Sequence, residues 1–124
     1  MDEKTILIVD DYRDNRKMII QLLSKSGVEC TFLEAIHSEE ALEIIAEEGL
    51  PNLILSDLMM PGLNGCELFL ECQKKGLKID KFIVVTASFD NFKVMSKELN
   101  LSELKAVESS KIFTDLVPVV KELI

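Results

Sequence analysis

Five short apolar runs, each followed by a segment with helical spacing, constrain this chain more than any other feature. The third run is the most telling. Leu53-Ile54-Leu55 is apolar without interruption, as a strand buried on both faces of a sheet requires, and it stops at Ser56-Asp57. Pro61-Gly62 and Asn64-Gly65 then turn the chain away. On this stretch alone Asp57 reads equally well as a turn cap. Its meaning depends on how the other strands end.

The remaining runs repeat the pattern. Thr5-Ile6-Leu7-Ile8-Val9 is β-branched and ends in Asp10-Asp11. Residues 30–35 form a more polar run that suits a sheet edge. Phe82-Ile83-Val84-Val85 leads into Thr86-Ala87-Ser88, and Lys105-Ala106-Val107-Glu108, the weakest strand pattern, leads into Ser109-Ser110-Lys111. Between them, residues 13–25 carry Met18, Ile19, Leu22 and Leu23 at helical spacing and stop at Gly27. Ser38 is the expected cap of a helix over 39–48, whose inner face is Ala41, Leu42, Ile45 and Ala46. Residues 66–75 predict a third helix with Leu68, Phe69 and Cys72 inward, and residues 89–99 a weaker fourth through Phe92, Met95 and Leu99. Thr114 or Asp115 is the expected cap of a last helix bearing Leu116, Val119, Val120 and Leu123, with Pro118 in its first turn. Strand and helix alternate five times, which predicts an α/β fold: a parallel sheet with right-handed crossovers and helices on both faces.

A length of 124 residues suits one domain over 1–124, with 48% hydrophobic and 29% charged residues as in an ordinary globular chain. A net charge of −8 argues against direct contact with nucleic acid or an anionic membrane. No run is long and apolar enough to cross a bilayer and no signal sequence opens the chain, so a cytoplasmic location is expected. Cys30 reads as a strand residue and Cys66 and Cys72 as parts of one helix; their spacing fits free thiols and not zinc. His37, alone in a predicted loop, reads as a solvated histidine and not as a phosphohistidine, and the acids of 39–48 as a solvated helix face. The last helix is short, as it would be if the chain were cut from a longer one.

In a parallel sheet the carboxyl ends of all strands share one rim, and four of these five deliver polar groups there: Asp10 and Asp11, Asp57, Thr86, and Lys111. Two unit charges about 4 Å apart interact by about 4 kcal/mol at an effective dielectric of 20, so acids gathered this closely call for a cation. Few, hard, solvent-open oxygen ligands suit Mg²⁺. A hydroxyl at Thr86 and an ammonium at Lys111 suit phosphate oxygens. Such a pocket can accept a phosphoryl group on one carboxylate while a metal and an ammonium neutralise the developing charge.

With these pieces assembled, the chain resembles the receiver domain of two-component response regulators along its whole length. The resemblance rests on Ile6-Leu7-Ile8-Val9-Asp10-Asp11, on Asp57-Leu58-Met59-Met60-Pro61-Gly62-Leu63-Asn64-Gly65, on Val84-Val85-Thr86-Ala87, on Lys111 with Phe113 two places on, and on Glu40-Ala41-Leu42. It implies a flavodoxin-like five-stranded sheet in the order 2-1-3-4-5. It also implies that Asp57 is phosphorylated from a histidine kinase or a histidine phosphotransfer protein, in a signalling phosphoacceptor that catalyses only its own phosphotransfer and dephosphorylation. Asp11, Asp57 and the backbone carbonyl of Met59 would hold Mg²⁺, with Asp10 acting through water. Thr86 would move to the phosphoryl group and Lys111 would pair with it. Met59 and Ser88 match positions that flank the attacking water, and apolar Met59 is expected to hinder it and prolong the phosphorylated state. By the same analogy, the fourth helix, fifth strand and fifth helix would present a changed surface to a partner protein or a second copy.

Three departures stand beside these matches. Ile112 follows Lys111 where the family usually has proline, often in a cis bond. A cis bond before a non-proline residue costs about 2.5–4 kcal/mol, so a trans bond is expected here. Glu108 occupies the place, three before the lysine, where the family often carries Tyr or Phe. The Gly-Ala pair before the last strand is missing, and the segment 100–105 is lengthened. These departures keep open a pseudo-receiver, a binding module not switched by phosphate. An aspartate-nucleophile phosphohydrolase fits poorly, because the second acid it needs two places on is Met59.

Overall fold

The computed structural model describes residues 3–124. Five parallel strands, β1 (Thr5–Val9), β2 (Thr31–Ala35), β3 (Leu53–Ser56), β4 (Phe82–Thr86) and β5 (Lys105–Glu108), form one sheet in the order β2-β1-β3-β4-β5. The helices are α1 (Arg13–Lys25), α2 (Ser38–Glu48), α3 (Gly65–Lys74), α4 (Phe89–Glu98) and α5 (Val117–Leu123). The expected α/β architecture and strand order are both present.

Alternation along the central strands sorts the core into two layers, because successive side chains leave a strand on opposite faces. Leu7, Val9, Ile54, Phe82 and Val84 pack with Ala41 and Ile45 of α2, Leu68, Phe69 and Cys72 of α3, and Phe92 of α4. Ile6, Ile8, Leu53, Leu55, Ile83 and Val85 pack with Ile19 and Leu23 of α1 and with Val120 and Leu123 of α5. The first layer also takes in Leu101 and Leu104 from the lengthened segment, which turns at Asn100, in the left-handed region at φ 58°. That segment is therefore a packed part of the core.

Several local expectations are corrected. The cap of α2 is His37, not Ser38: its Nδ1 accepts the N–H of Glu40 at 3.1 Å, while Ser38 is buried and its Oγ accepts the N–H of Leu63 at 3.1 Å. His37 is thus a capping group and not a free loop histidine. On α1, Met18 is 39% exposed and Leu22 only half-buried; the inward positions are Arg16, Ile19 and Leu23. Cys30 lies just before β2, and α3 starts at Gly65, capped by Asn64 in a reciprocal box with Glu67 (2.9 Å each way). Neither Thr114 nor Asp115 caps the last helix. A 3₁₀ turn at Ser109–Lys111 and a π-helical turn at Ile112–Leu116 lead directly into α5, and Thr114 Oγ1 donates back to the carbonyl of Lys111 at 3.2 Å. Among the described residues no helix is long and apolar enough to cross a membrane.

Candidate functional site

The first and third strands lie side by side, with Val9 opposite Ser56, so the residues that follow them emerge together. The Asp57 N–H donates to the carbonyl of Val9 at 2.8 Å and extends the ladder by one residue, which fixes the point where the acids leave the sheet. As a result Asp10, Asp11 and Asp57 each offer a carboxylate oxygen within 4.8 Å of the others. They differ in exposure: Asp10 is buried, Asp57 half-buried and Asp11 exposed, so the cluster has a floor and an open side.

Hydrogen bonds orient the two inner acids. Asp57 Oδ1 accepts from the N–H of Leu58 at 2.7 Å; Asp10 Oδ1 accepts from the N–H of Tyr12 at 2.8 Å and Oδ2 from Asn15 at 3.4 Å. These donors do not compensate for what the packing removes. Burial, then the charge of Asp10 and to a lesser degree that of Asp11, push the Asp57 carboxyl up to about 6 against the pull of the Leu58 and Met59 N–H groups. Burial likewise raises Asp10. Two inner acids that resist ionising favour a cation beside them. Three hard carboxylate oxygens on one open-sided rim fit Mg²⁺ by donor type and number.

Two further residues support this pocket: Arg16, which no motif marks, and Gly65, the last residue of the run that begins at Asp57. Arg16 is turned inward on α1; its Nη1 donates to the backbone carbonyl of Asp10 at 2.7 Å and its Nε to Glu34 Oε1 at 3.0 Å. Lys17 also reaches Glu34, at 2.8 Å, and Lys17 with Arg16 holds the Glu34 carboxyl below its ordinary range. The signal in the sequence was a cation three residues before Ile19 and seven before Leu23, on the apolar face of the helix. Gly65 is the second: a Cβ there would stand 2.5 Å from the Asp57 carbonyl oxygen and 3.2 Å from Leu58 Cα. Its N–H donates to the carbonyl of Leu58 at 2.8 Å, so α3 begins pressed against the loop that carries Asp57. Asn64-Gly65 in the sequence marks a turn but not that closeness.

The β4 and β5 ends are arranged differently. Thr86 is buried, and its Oγ1 accepts the N–H of Ser88 at 2.9 Å. Lys111 does not extend from a strand end; it closes the 3₁₀ turn, its side chain is 59% exposed, and its Nζ lies 3.6 Å from Glu108 Oε2. Among the described residues every peptide bond is trans, Lys111-Ile112 included. Met59 is 51% exposed beside the acids. Cys66 and Cys72 are buried free thiols on α3, pushed up to about 11 by burial, which suits packing and not metal binding.

Comparison with known proteins gives a consistent result. Residues 6–108 match the model of the response regulator receiver domain. Over 85 residues the chain is 42% identical to the phosphate regulon transcriptional regulatory protein PhoB of Pseudomonas aeruginosa, covering 68% of this chain and 36% of that protein. Over 91 residues it is 34% identical to the two-component response regulator ORR12 of Oryza sativa subsp. japonica, covering 73% of each. The chain thus spans about a third of PhoB and most of ORR12. Among solved structures, the response regulator TrrA of Thermotoga maritima in complex with Mg²⁺-BeF superposes with a TM-score of 0.78 at 32% identity, covering 98% of this chain and 99% of that one. With the sheet order, the three converging acids and a family match over most of its length, the chain belongs to the response regulator receiver domain family.

Proposed function

We propose that this chain, read as one receiver unit, is the phosphoacceptor of a two-component relay and takes a phosphoryl group from a phosphohistidine onto Asp57. The observation that carries this reading is the meeting of Asp10, Asp11 and Asp57 within 4.8 Å on the open rim of the sheet. The Leu58 N–H holds Asp57 Oδ1 and so fixes the plane of the carboxylate. An Asp57 oxygen supplies the electron pair for the new P–O bond as the donor's P–N bond breaks. The pair from that bond stays on the imidazole nitrogen, which takes a proton from solvent. Asp11, Asp57 and the Met59 carbonyl would hold Mg²⁺, with Asp10 through water, and the ion when bound would supply positive charge to the phosphoryl oxygens. The complex of TrrA with Mg²⁺-BeF supports this assignment by analogy.

Thr86 and Lys111 read the product. A phosphoryl group adds about −1.5 to −2 charge at the rim, and it shifts the chain only as far as the two conformations differ in affinity for it. The donor, a histidine kinase or a histidine phosphotransfer protein, meets a rim on which Tyr12, Met59 and Phe113 stand 68%, 51% and 66% exposed. Each follows a polar rim residue by one or two positions, so apolar contacts flank the charged centre. Met59 and Ser88 flank the route of the attacking water and tune how long the phosphoryl group lasts. The readout surface is α4, β5 and α5, offered to a protein partner or a second copy, in the cytoplasm and without direct contact to nucleic acid by these residues.

A second reading, a pseudo-receiver that binds partners without being switched, has one observation in its favour: Lys111 is engaged with Glu108. Incubation with a small phosphodonor separates the two. Mg²⁺-dependent label on the wild type and none on Asp57→Asn is the expected result; no label on either supports the binding module. Faster loss of label in Met59→Asn tests the tuning role, and an unchanged rate removes it.

A further inference from the structure

The cation that the proposed chemistry needs at Asp57 already has a partner. Lys111 Nζ lies 3.6 Å from Glu108 Oε2 across a single 3₁₀ turn. Glu108 is also the last residue of β5 and stands in register with Thr86 on β4, so one side chain adjoins both groups that would read the phosphoryl. Beside it lies an open cleft of about 350 Å³, walled by Ala87, Ser88 and Asp90 on one side and by Glu108 and Ser109 on the other.

We propose that Glu108 is a positioning residue that holds Lys111 in the resting state, and that phosphorylation acts through an exchange of partners. Lys111 leaves the Glu108 carboxylate for the phosphoryl group, and Glu108 turns into the cleft. This rests on Asp57 being the phosphoacceptor. Both partners are substantially exposed, 59% and 37%, so the pair is weak and can be broken by a stronger competitor. A phosphoryl group carries up to twice the charge of a carboxylate, and it sits where three acids already need neutralising. The four-carbon stem of the lysine lets the ammonium change partner without moving the strand. Room for the freed carboxylate exists without rearrangement, because Glu108 already lines the cleft. The exchange leaves an unpaired negative charge close to Asp90 at the start of α4. It gives the β4–β5 surface a new charge pattern without any ring changing place.

The test follows the rate of Asp57 phosphorylation by phosphoramidate with Mg²⁺ in the full chain. The wild type, Glu108→Gln, Lys111→Met and the double variant are compared, with thermal melts to show that each is folded. Freeing Lys111 is expected to speed labelling by roughly two- to fivefold in Glu108→Gln, the range open to an exposed pair. The same change is expected to do nothing in the Lys111→Met background; a merely structural role for Glu108 would persist there. Equal acceleration in both backgrounds, or no acceleration beside a labelled wild type, overturns this proposal alone. A wild type that takes no label overturns the phosphoacceptor reading as well.

Discussion

The two halves of the strand rim are built on different terms. At the ends of β1 and β3 the acids stand on strands buried on both faces, and Asp57 prolongs the ladder through its N–H to Val9. Arg16 holds the Asp10 carbonyl from one side, and Gly65 lets α3 close on Asp57 from the other. At the ends of β4 and β5, Thr86 is buried but its neighbour β5 is a partly exposed edge strand. It continues into 3₁₀ and π-helical turns, where Lys111 pairs with Glu108. On the proposed function, the half that would accept the phosphoryl group is over-determined by packing, and the half that would read it is held in part by a weak, exposed ion pair. A switch needs this division, because a displaced element must cost little to displace.

The largest stability effect that sharpens this contrast is expected at Arg16. Arg16→Met leaves Glu34 without its buried donor and the Asp10 carbonyl unpaired, so the chain should lose roughly 2–4 kcal/mol, read by urea unfolding. Weaker Mg²⁺ binding should accompany it. A loss below about 1 kcal/mol would mean that the acid half is not braced as described.

Gly65→Ala comes next. A methyl group 2.5 Å from the Asp57 carbonyl oxygen meets backbone, which has no rotamer to yield, so about 1–3 kcal/mol is expected from overcrowding. The displaced Asp57 should label more slowly than the loss of stability alone explains, since most molecules remain folded. Wild-type labelling in this variant would separate the α3 contact from the chemistry.

Asp57→Asn should work in the opposite direction. The carboxyl is pushed up to about 6, so the folded chain holds that proton more tightly than the unfolded chain does. Stability therefore falls as pH rises through the interval between the ordinary carboxyl value and 6, and stays low above it. Asparagine lacks this cost. Without divalent metal the variant should be more stable than wild type at pH 7 by about 1–2 kcal/mol, a figure reduced for the solvent around a half-buried group, and the advantage should vanish near pH 4. Saturating Mg²⁺ should close the gap from the wild-type side.

How far the sequence revealed this molecule follows the same division. The sheet and the three acids were legible because uninterrupted apolar runs end in carboxylates, and a parallel sheet leaves only one rim for them. Arg16 was hidden because helical periodicity reads apolar residues, and Met18 offers an apolar side chain to a face that a guanidinium occupies instead. His37 was hidden because a histidine cap resembles a loop histidine until its Nδ1 is seen to accept the Glu40 N–H. After Glu108 the pattern became least legible: the continuous 3₁₀, π and α turns have no capping residue to announce them, and the three-residue spacing of Glu108 and Lys111 predicts a pair only once the turn between them is known to be helical.

The smallest expected effect concerns Glu108. If the β5 half is held as loosely as its exposure implies, Glu108→Gln should change unfolding stability by no more than about 0.5 kcal/mol, because an exposed pair three residues apart gains little over two solvated charges. The substitution removes charge from the edge of the sheet and leaves the Val107 packing in the core untouched. A loss above about 1 kcal/mol would show that Glu108 and Lys111 brace the fold, and the two halves of the rim would then be alike. A near-zero change in stability joined to a changed labelling rate would place Glu108 on the reading side of the switch, where the weakness of its contact is what allows Lys111 to leave it.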